Sequence, residues 1–302
     1  MSEAPPVRKR WQIVDGVLLL DKPAGLSSND ALQKARRLFS AAKAGHTGTL
    51  DPMATGLLPL CFGEATKFSN RLLEADKTYA ATLLLGVTTQ TGDAEGEVVL
   101  TRPVGCDEAA VHAACARFLG EIEQVPPMYS ALKHQGRALY EYARQGVEIE
   151  REARRVTIHS LEVHRIALPE VEILVRCSKG TYIRTLAEDI GEALGCGAHL
   201  TALRRTSIGS LEIGQALTLE AIAEVDEAAR PALLAKPDAL VAHLDAIQLD
   251  ASQTDRILHG QAIRLAGDAR QVRLYGPHFL GLGEFNGTGE LRPVRLIVFN
   301  AA

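Results

Sequence analysis

One short segment, residues 45–56 with the sequence GHTGTLDPMATG, holds the side chain best suited to chemistry. Its glycines, threonines and proline exclude the interior of a helix or of a central strand, so the segment must be a loop of fixed shape. Asp51 is the charged group of that loop. A carboxylate held rigidly can act as a nucleophile or as a base. An Asp-Pro step is also a common turn initiator, so the surrounding residues must decide between the two interpretations.

The other motifs exclude several kinds of chemistry. The segment GEATKFS at 63–69 lacks the residue order of a phosphate-binding P-loop, and neither GxSxG nor a Rossmann glycine pattern is present. We therefore expect catalysis without a metal, a nucleotide cofactor or a reactive thiol. The five cysteines form no CxxC pair, so neither a disulfide framework nor a zinc ribbon is expected; they are Cys61, Cys106, Cys115, Cys177 and Cys196.

Composition and charge indicate a soluble protein but do not identify its partner. The 302 residues are 46% hydrophobic and 23% charged, with a formal net charge of −4. Eight acidic residues lie between Glu220 and Asp255, and outside that segment the chain has 31 basic and 29 acidic residues. Short basic clusters, including Arg204 and Arg205, fit either a solvated surface or contact with a polyanion. Without a membrane-spanning run or a signal sequence, the expected location is the cytoplasm.

The hydrophobic pattern predicts alternating strands and helices around the loop. A helix is predicted from the capping residue Ser27 to just before Gly45, where it leads into the loop. A second helix is predicted from residue 181 to a stop at Gly195, with Tyr182 and Arg184 at its start. A buried strand is predicted at 16–23, and further strands are predicted at 78–89 and 171–177.

The pattern of apolar residues and glycines changes near residue 250. Short apolar pieces separated by glycines follow, which predicts a small all-β module with a hairpin at 286–289. We therefore expect the chain to divide into residues 1–249 and 250–302, and we expect the larger part to fold without the smaller one.

Four segments together resemble the bacterial TruB-type tRNA pseudouridine synthases. They are GVLLLDKPAGLSSND, KAGHTGTLDPMATGLLPLCFGEATKFS, YSALKHQGRALYEYARQG and CSKGTYIRTLAEDIGEALGCGAHLTALRR, and they follow the family's order over most of residues 16–209. The resemblance implies an α/β (α+β) catalytic domain over 1–249, with a mixed, mostly antiparallel sheet flanked by helices. It also implies an RNA-gripping insertion around 122–150 and a β-rich, PUA-like RNA-binding domain over 250–302.

The same resemblance implies an activity and a set of site residues. The enzyme would isomerise uridine-55 in the T loop of tRNA to pseudouridine, and the family's catalytic aspartate corresponds to Asp51. No cofactor, metal, membrane or obligatory protein partner is implied, and a monomer is expected. Arg184 is expected to lie within about 4 Å of Asp51 and to lower its pKa. The residues implied to bind the substrate, or to fill the space that the extruded nucleotide leaves, are His46, Tyr79, Tyr182, Arg184 and Leu203.

The residues themselves leave alternatives open. Tyr79 and Leu203 also fit ordinary core packing, and His46 fits a side chain that satisfies loop carbonyls. The segment 133–146 fits either an amphipathic helix or a basic flap that grips RNA. Whether Asp51 attacks C1′ or C6, or removes a ribose proton, is not decided by the sequence.

Two other functions are compatible with parts of this pattern. A guide-dependent pseudouridylase of the dyskerin type shares the core motifs but works inside a ribonucleoprotein; the short C-terminal module and the bacterial type of insertion argue against it. A non-catalytic RNA-binding or RNA-folding protein would not need Asp51, Tyr79, Tyr182 and Arg184 together.

The absence of a metal-ligand pattern gives a direct prediction. Pseudouridine formation on tRNA that has been folded beforehand should survive EDTA, because no cluster of Cys, His and Asp residues has metal-ligand spacing. The measurement is product formed with and without chelator. A loss of activity that zinc alone restores would show that a metal site was missed.

Overall fold

The structure, a computed structural model, describes residues 11–298. Short 3-10 helices lie at Gly63–Phe68, Ile213–Gln215, Arg230–Leu233 and Pro237–Val241. The α-helices are α1 (Ser28–Leu38), α2 (Ser69–Leu73), α3 (Glu108–Ala116), α4 (Leu139–Ala143), α5 (Ile183–Ala193), α6 (Leu219–Glu224) and α7 (Ala251–Leu258). The strands are β1 (Gly16–Lys22), β2 (Ala44–His46), β3 (Thr55–Phe62), β4 (Lys77–Leu85), β5 (Val87–Thr89), β6 (Val98–Thr101), β7 (Gly120–Gln124), β8 (Lys133–His134), β9 (Arg137–Ala138), β10 (Arg154–Ala167), β11 (Glu170–Cys177), β12 (Ala198–Ile208), β13 (Leu211–Glu212), β14 (Asp245–Gln248), β15 (Ile263–Arg264), β16 (Gln271–Tyr275), β17 (Phe279–Phe285) and β18 (Glu290–Leu296).

A large mixed sheet forms the centre of the molecule. Its strands follow the order β1-β3-β12-β4-β11-β10-β7, with β2 beside β3 and β13 beside β12. Neighbouring strands run antiparallel except β3 and β12, which pair in parallel at Thr55 and Gly56. Gly56 has a φ of 100°, and a Cβ atom there would lie 2.3 Å from the carbonyl oxygen of Arg205. A glycine is therefore required where these two strands meet, and the predicted mixed, mostly antiparallel sheet is confirmed.

Strand β1 is buried on both faces of the sheet, which explains its continuous apolar sequence. Val17 and Leu19 point into a cluster on one face. Leu18 and Leu20 point into the larger cluster on the other face, which also contains residues of α1, α3, α5 and α6. A strand covered on both sides favours apolar residues at successive positions, so residues 17–20 show no alternation in the sequence.

The first predicted helix is shorter than the sequence indicated. Ser27 caps α1 as predicted, since its hydroxyl accepts a hydrogen bond of 3.1 Å from the amide of Asp30. The prediction that the helix continues to just before Gly45 is wrong. It ends at Leu38, because Ser40 adopts a left-handed φ of 51° and turns the chain into β2.

The remaining predicted elements of the large sheet are close to those observed. The strand predicted at 78–89 is divided into β4 and β5 at Gly86, whose φ is 86°. The strand predicted at 171–177 is β11, and the second predicted helix is α5. Tyr182 is the N-cap residue of α5, and Gly195, with a φ of 79°, follows its end.

The segment 133–146 is not a single amphipathic helix. It forms the hairpin β8–β9, which turns at Gln135 and Gly136 with φ values of 51° and 83°, followed by the short helix α4. Basic and aromatic side chains pair on it: the guanidinium of Arg137 lies 4.8 Å from the ring centre of Tyr142. Arg137 also forms an ion pair with Glu141 at 2.9 Å, and Lys133 and Arg144 are exposed. Strands β8 and β9 and helix α4 therefore form a small folded projection, the cationic projection, that presents positively charged groups.

The C-terminal module is β-rich, as predicted, and packs against the larger part. Its sheet has the order β14-β16-β17-β18-β15, with the predicted hairpin loop between β17 and β18. Strand β14 precedes residue 250, so this sheet begins before the predicted division. Phe279 of the module packs on Phe68, with ring centres 5.6 Å apart, and both belong to the cluster that contains Val17. This shared core speaks against the expectation that the larger part folds unchanged without the module.

The shared cluster predicts that the two parts unfold together. Phe279→Ala should lower the free energy of unfolding by about 3–5 kcal/mol, because a buried aromatic side chain is replaced by a cavity. The urea midpoint should fall equally by circular dichroism and by the fluorescence of Trp11, which lies near the start of the described chain.

Phe285→Ala is the matched variant, because Phe285 is buried in the separate core of the module. It should leave the packing on Phe68 intact. An unchanged Trp11 midpoint in Phe279→Ala, with a lower midpoint by circular dichroism, would show that the two parts unfold independently.

Candidate active site

The loop that carries Asp51 is held by residues on both sides of it. The hydroxyl of buried Ser28 accepts a hydrogen bond of 2.7 Å from the amide of Leu50 and donates one of 3.0 Å to its carbonyl. The ammonium of Lys22, which is 0% exposed, donates to the carbonyl of Pro52 at 3.3 Å. Burial lowers the pKa of Lys22 to about 8. The start of α1 and the end of β1 therefore fix the position of Asp51 from either side.

The predicted ion pair between Asp51 and Arg184 is present. Arg184 Nη2 lies 3.0 Å from Asp51 Oδ2, and Arg184 Nη1 lies 3.5 Å from Asp93 Oδ2. The guanidinium also donates to the carbonyls of Thr91 at 2.8 Å and of Tyr129 at 2.6 Å. The side chains of Arg184 and Asp93 are 6% and 4% exposed, whereas that of Asp51 is 36% exposed. One carboxylate of the group is thus accessible, and its orientation is fixed by a buried cation.

The predicted direction of the pKa shift of Asp51 is wrong. Burial raises the pKa of this carboxyl above its ordinary value, and the negative charge of Asp93 adds to the increase. The positive charges of Arg184 and Lys22 oppose the increase without reversing it. The sequence identified Arg184 as the cationic partner of Asp51. The burial of Asp51 and its closeness to Asp93 arise from tertiary packing, so the sequence did not indicate them.

A cavity of about 540 Å³ opens beside the carboxylate and brings together most of the predicted site residues. Asp51 and Arg184 line it, as do Tyr79 from β4, Tyr182 at the start of α5, and Leu203 from β12. Burial raises the pKa of both tyrosines, so both carry neutral hydroxyl groups near neutral pH. The volume suits a small organic ligand, and the wall combines aromatic, aliphatic and charged groups.

His46 does not line this cavity. It lies on β2, opposite Leu60 of β3, and its Nδ1 atom is buried without a hydrogen-bond partner among the residues that the structure describes. Burial lowers its pKa, so the neutral ring is favoured. A hydrogen bond to the backbone of Gly48 opposes this lowering of the pKa, so the alternative that His46 satisfies a loop carbonyl stays open.

Sequence reasoning missed four buried polar residues of the site. Asp93 lies in the segment TGDAEG at 91–96. Its glycines are typical of a turn, but nothing in the segment indicates a partner in α5. The side chain of Gln124 binds both backbone groups of Tyr182. Its Oε1 accepts a hydrogen bond of 3.0 Å from the amide, and its Nε2 donates one of 3.3 Å to the carbonyl. Lys77 and Arg205 line the cavity and are buried. Among these, Arg205 belongs to a basic cluster that the sequence did mark.

Two structural findings apply to residues 11–298. No group of three or more His, Cys, Asp or Glu side chains is arranged to hold a metal ion. No helix in this range has the length and apolar character that crossing a membrane requires.

Three domain families match consecutive parts of the chain. The N-terminal domain of the TruB family pseudouridylate synthases matches residues 36–183. The C-terminal domain of tRNA pseudouridylate synthase B matches 184–247, and the C-terminal domain of pseudouridine synthase II TruB matches 246–297. These matches define the class of enzyme as pseudouridine synthase.

Curated relatives agree over nearly the whole length. A protein of Burkholderia mallei named tRNA pseudouridine synthase B is 59% identical over 307 residues, which cover 99% of each chain. A protein of the same name from Aromatoleum aromaticum is 58% identical over 299 residues, which cover 98% of this chain and 97% of the relative. The chain therefore belongs to the TruB family.

Solved structures share the fold. The crystal structure of a Cbf5-Nop10-Gar1 complex contains a chain with a TM-score of 0.71 and 25% identity, covering 99% of this chain and 91% of that one. A structure of an H/ACA RNP bound to a substrate RNA containing 2′-deoxyuridine contains a chain with a TM-score of 0.72 and 23% identity, covering 98% and 88%. The second likeness establishes the fold alone.

The charge arrangement around Arg184 predicts how the pKa of Asp51 responds to substitution. Asp93→Asn should lower this pKa, because it removes a nearby negative charge and leaves Asp51 as the carboxylate that is ion-paired with Arg184. Carbon-13 NMR titration of labelled aspartate carboxyls measures the change, and the Asp51 signal is assigned as the one absent from Asp51→Asn. An unchanged or higher pKa in Asp93→Asn would contradict this electrostatic account.

Proposed function

We propose that this enzyme isomerises uridine-55 in the T loop of tRNA to pseudouridine, with Asp51 as the catalytic carboxylate. The observation that carries the proposal is a partly exposed carboxylate, oriented by a buried arginine, at the wall of a cavity with room for a nucleoside. The relatives named tRNA pseudouridine synthase B, which are 58–59% identical over nearly the whole chain, support tRNA as the substrate.

The cavity walls are suited to a base that has left its stack. A uridine inside folded RNA is out of reach, so the nucleotide must flip out before Asp51 can act on it. Tyr79 offers an aromatic face for the base, and Leu203 and Tyr182 enclose it. His46 lies outside the cavity, which fits a role in occupying the space that the flipped nucleotide leaves.

The reaction is an isomerisation, so the product has the same composition as the uridine. The bond between N1 and C1′ breaks, the base turns, and a new bond joins C5 to C1′; C5 loses its proton and N1 gains one. An ionised Asp51 can serve as the nucleophile, at C1′ or at C6, or as the base that removes a ribose proton. Arg184 favours the ionised carboxylate, which burial disfavours, and fixes the direction of its oxygens.

The other parts of the chain are assigned by the same proposal. We assign catalysis to residues 1–249, gripping of the T arm to the insertion around 122–150, and further RNA contact to a PUA-like domain over 250–302. The cationic projection formed by β8, β9 and α4 supports the second assignment. The enzyme is proposed to act in the cytoplasm as a monomer without an obligatory protein partner, unlike a guide-dependent pseudouridylase.

The test is tritium release from an unmodified tRNA transcript that carries [5-³H]uridine, with purified enzyme and no other component. Asp51→Asn should bind the transcript like the wild type but lose more than ~10³-fold in rate, because the amide has nearly the same shape and no charge. Mapping of the product should place pseudouridine at position 55.

Asp226→Asn is the matched control, because Asp226 is exposed and lies outside the cavity. It should release tritium at the wild-type rate. Turnover near the wild-type rate in Asp51→Asn would reject Asp51 as the catalytic group, and release that requires an added guide RNA would favour the ribonucleoprotein alternative.

A further inference from the structure

Two buried cations line the cavity at the end where Gly48 and Leu73 lie. Arg205 is 1% exposed and Lys77 is 8% exposed. They project from the neighbouring strands β12 and β4, and Arg205 is the cross-strand partner of Tyr79. The catalytic proposal above gives neither of them a role.

The guanidinium of Arg205 is incompletely satisfied. Its Nε donates to the carbonyl of Leu57 at 2.8 Å, whereas its Nη2 is buried without a hydrogen-bond partner among the described residues. A Cβ atom added to Gly48 would lie 3.8 Å from Arg205 Nη1, so the guanidinium faces the loop that carries Asp51. A buried donor without an acceptor is costly, which indicates that a ligand completes this group.

The ammonium of Lys77 lies nearby and is also short of acceptors. It donates to the carbonyls of Leu73 at 2.7 Å and of Ala75 at 2.6 Å, which leaves one of its three N–H groups for another partner. Burial and, to a smaller extent, the positive charge of Arg205 lower the pKa of Lys77 to about 8. The two cations are therefore close enough to repel each other.

Unlike Arg184, the two cations at this end of the cavity have no closely paired carboxylate among the described residues. Arg184 is matched by two carboxylates, Asp51 and Asp93. Within residues 11–298, neither Lys77 nor Arg205 has a carboxylate within ion-pair distance, although Asp76 and Glu74 attract Lys77 from farther away. Their hydrogen bonds go to neutral groups, which are backbone carbonyls and, for Arg205, also the side chain of Tyr79. Like charges held together in a buried wall destabilise the free protein unless an anion binds between them.

We propose that Arg205 and Lys77 form a subsite for a backbone phosphate adjacent to the flipped nucleotide. The inference rests on the proposed function, because it takes RNA as the ligand of this cavity. Base and ribose are neutral, so the phosphodiester is the group of RNA whose charge matches two cations. A planar guanidinium and an ammonium are both suited to phosphate oxygens. Tyr79, which lies beside Arg205, then connects the phosphate subsite to the base.

The wild-type enzyme provides the first test. A T-arm stem-loop is made with one uncharged methylphosphonate linkage, placed either 5′ or 3′ of the target uridine, and its affinity is compared with that of the unmodified stem-loop. We expect one of the two linkages to weaken binding by about 10-fold, the effect of one charge-assisted contact. Weakening of less than about 2-fold at both linkages would overturn the proposal.

Variants then test whether these two side chains hold that phosphate. Arg205→Met and Lys77→Met should bind the unmodified stem-loop more weakly than the wild type does. In each variant, replacing the critical linkage by the uncharged one should lower the affinity by less than about 2-fold. The slope of log affinity against log salt should fall in magnitude by about 0.7–0.9 in each variant, as expected for one lost phosphate contact. An equal penalty from the uncharged linkage in wild type and in both variants would show that Arg205 and Lys77 only support the packing around Tyr79.

Arg230→Met is the control for loss of a structural arginine. Arg230 donates to backbone carbonyls, including those of Ile222 and Leu38, and does not line the cavity. Its variant should lose stability but keep the wild-type salt slope and the wild-type response to the uncharged linkage. Tritium release by the wild type on the unmodified stem-loop is scored separately, so failure of the phosphate subsite and failure of the proposed function give different results.

Discussion

The guanidinium of Arg184 joins parts of the chain that are far apart in sequence. From the first turn of α5 it contacts the carboxylates of Asp51 and Asp93 and the carbonyls of Thr91 and Tyr129. A buried cation is tolerated only when its partners are in place, and losing one partner of such a group costs about 3–5 kcal/mol. The loop at 47–54, the turn at 91–96 and the segment at 129–130 must therefore assemble together, and the geometry of the site is inseparable from the stability of the fold.

The charges of the cavity are arranged unevenly. Around Asp51, two carboxylates share Arg184 and the more distant Lys22, and the balance leaves the pKa of Asp51 above its ordinary value. At the other end, no carboxylate of the described residues lies within ion-pair distance of Lys77 or Arg205, and their hydrogen bonds go to neutral groups. A nucleotide has a neutral sugar and base at one end and a charged phosphate at the other, so this uneven arrangement matches its own distribution of charge.

Local signals in the sequence explain which features could be predicted. The cap at Ser27, the stop at Gly195 and the apolar stripe of α5 depend on neighbours within a few residues, and these were found. The end of α1 was missed, because a left-handed φ at a serine leaves no mark in the sequence. Asp93 and Arg205 were missed as site residues because their partners are brought close by strand pairing and tertiary packing. The pKa of Asp51 was predicted in the wrong direction for the same reason, since burial is a property of the packed chain.

The paired hydrogen bonds between Ser28 and Leu50 limit how the enzyme can respond to its substrate. Because the hydroxyl is bound to both backbone groups of Leu50, the loop cannot shift without disrupting the first turn of α1. The surface that carries Asp51 is therefore largely preformed, and we expect the RNA to make the conformational change that binding requires. Discrimination among RNAs then depends on the free energy needed to distort each one. A loop that unstacks easily is favoured over a rigid loop even when both present the same bases.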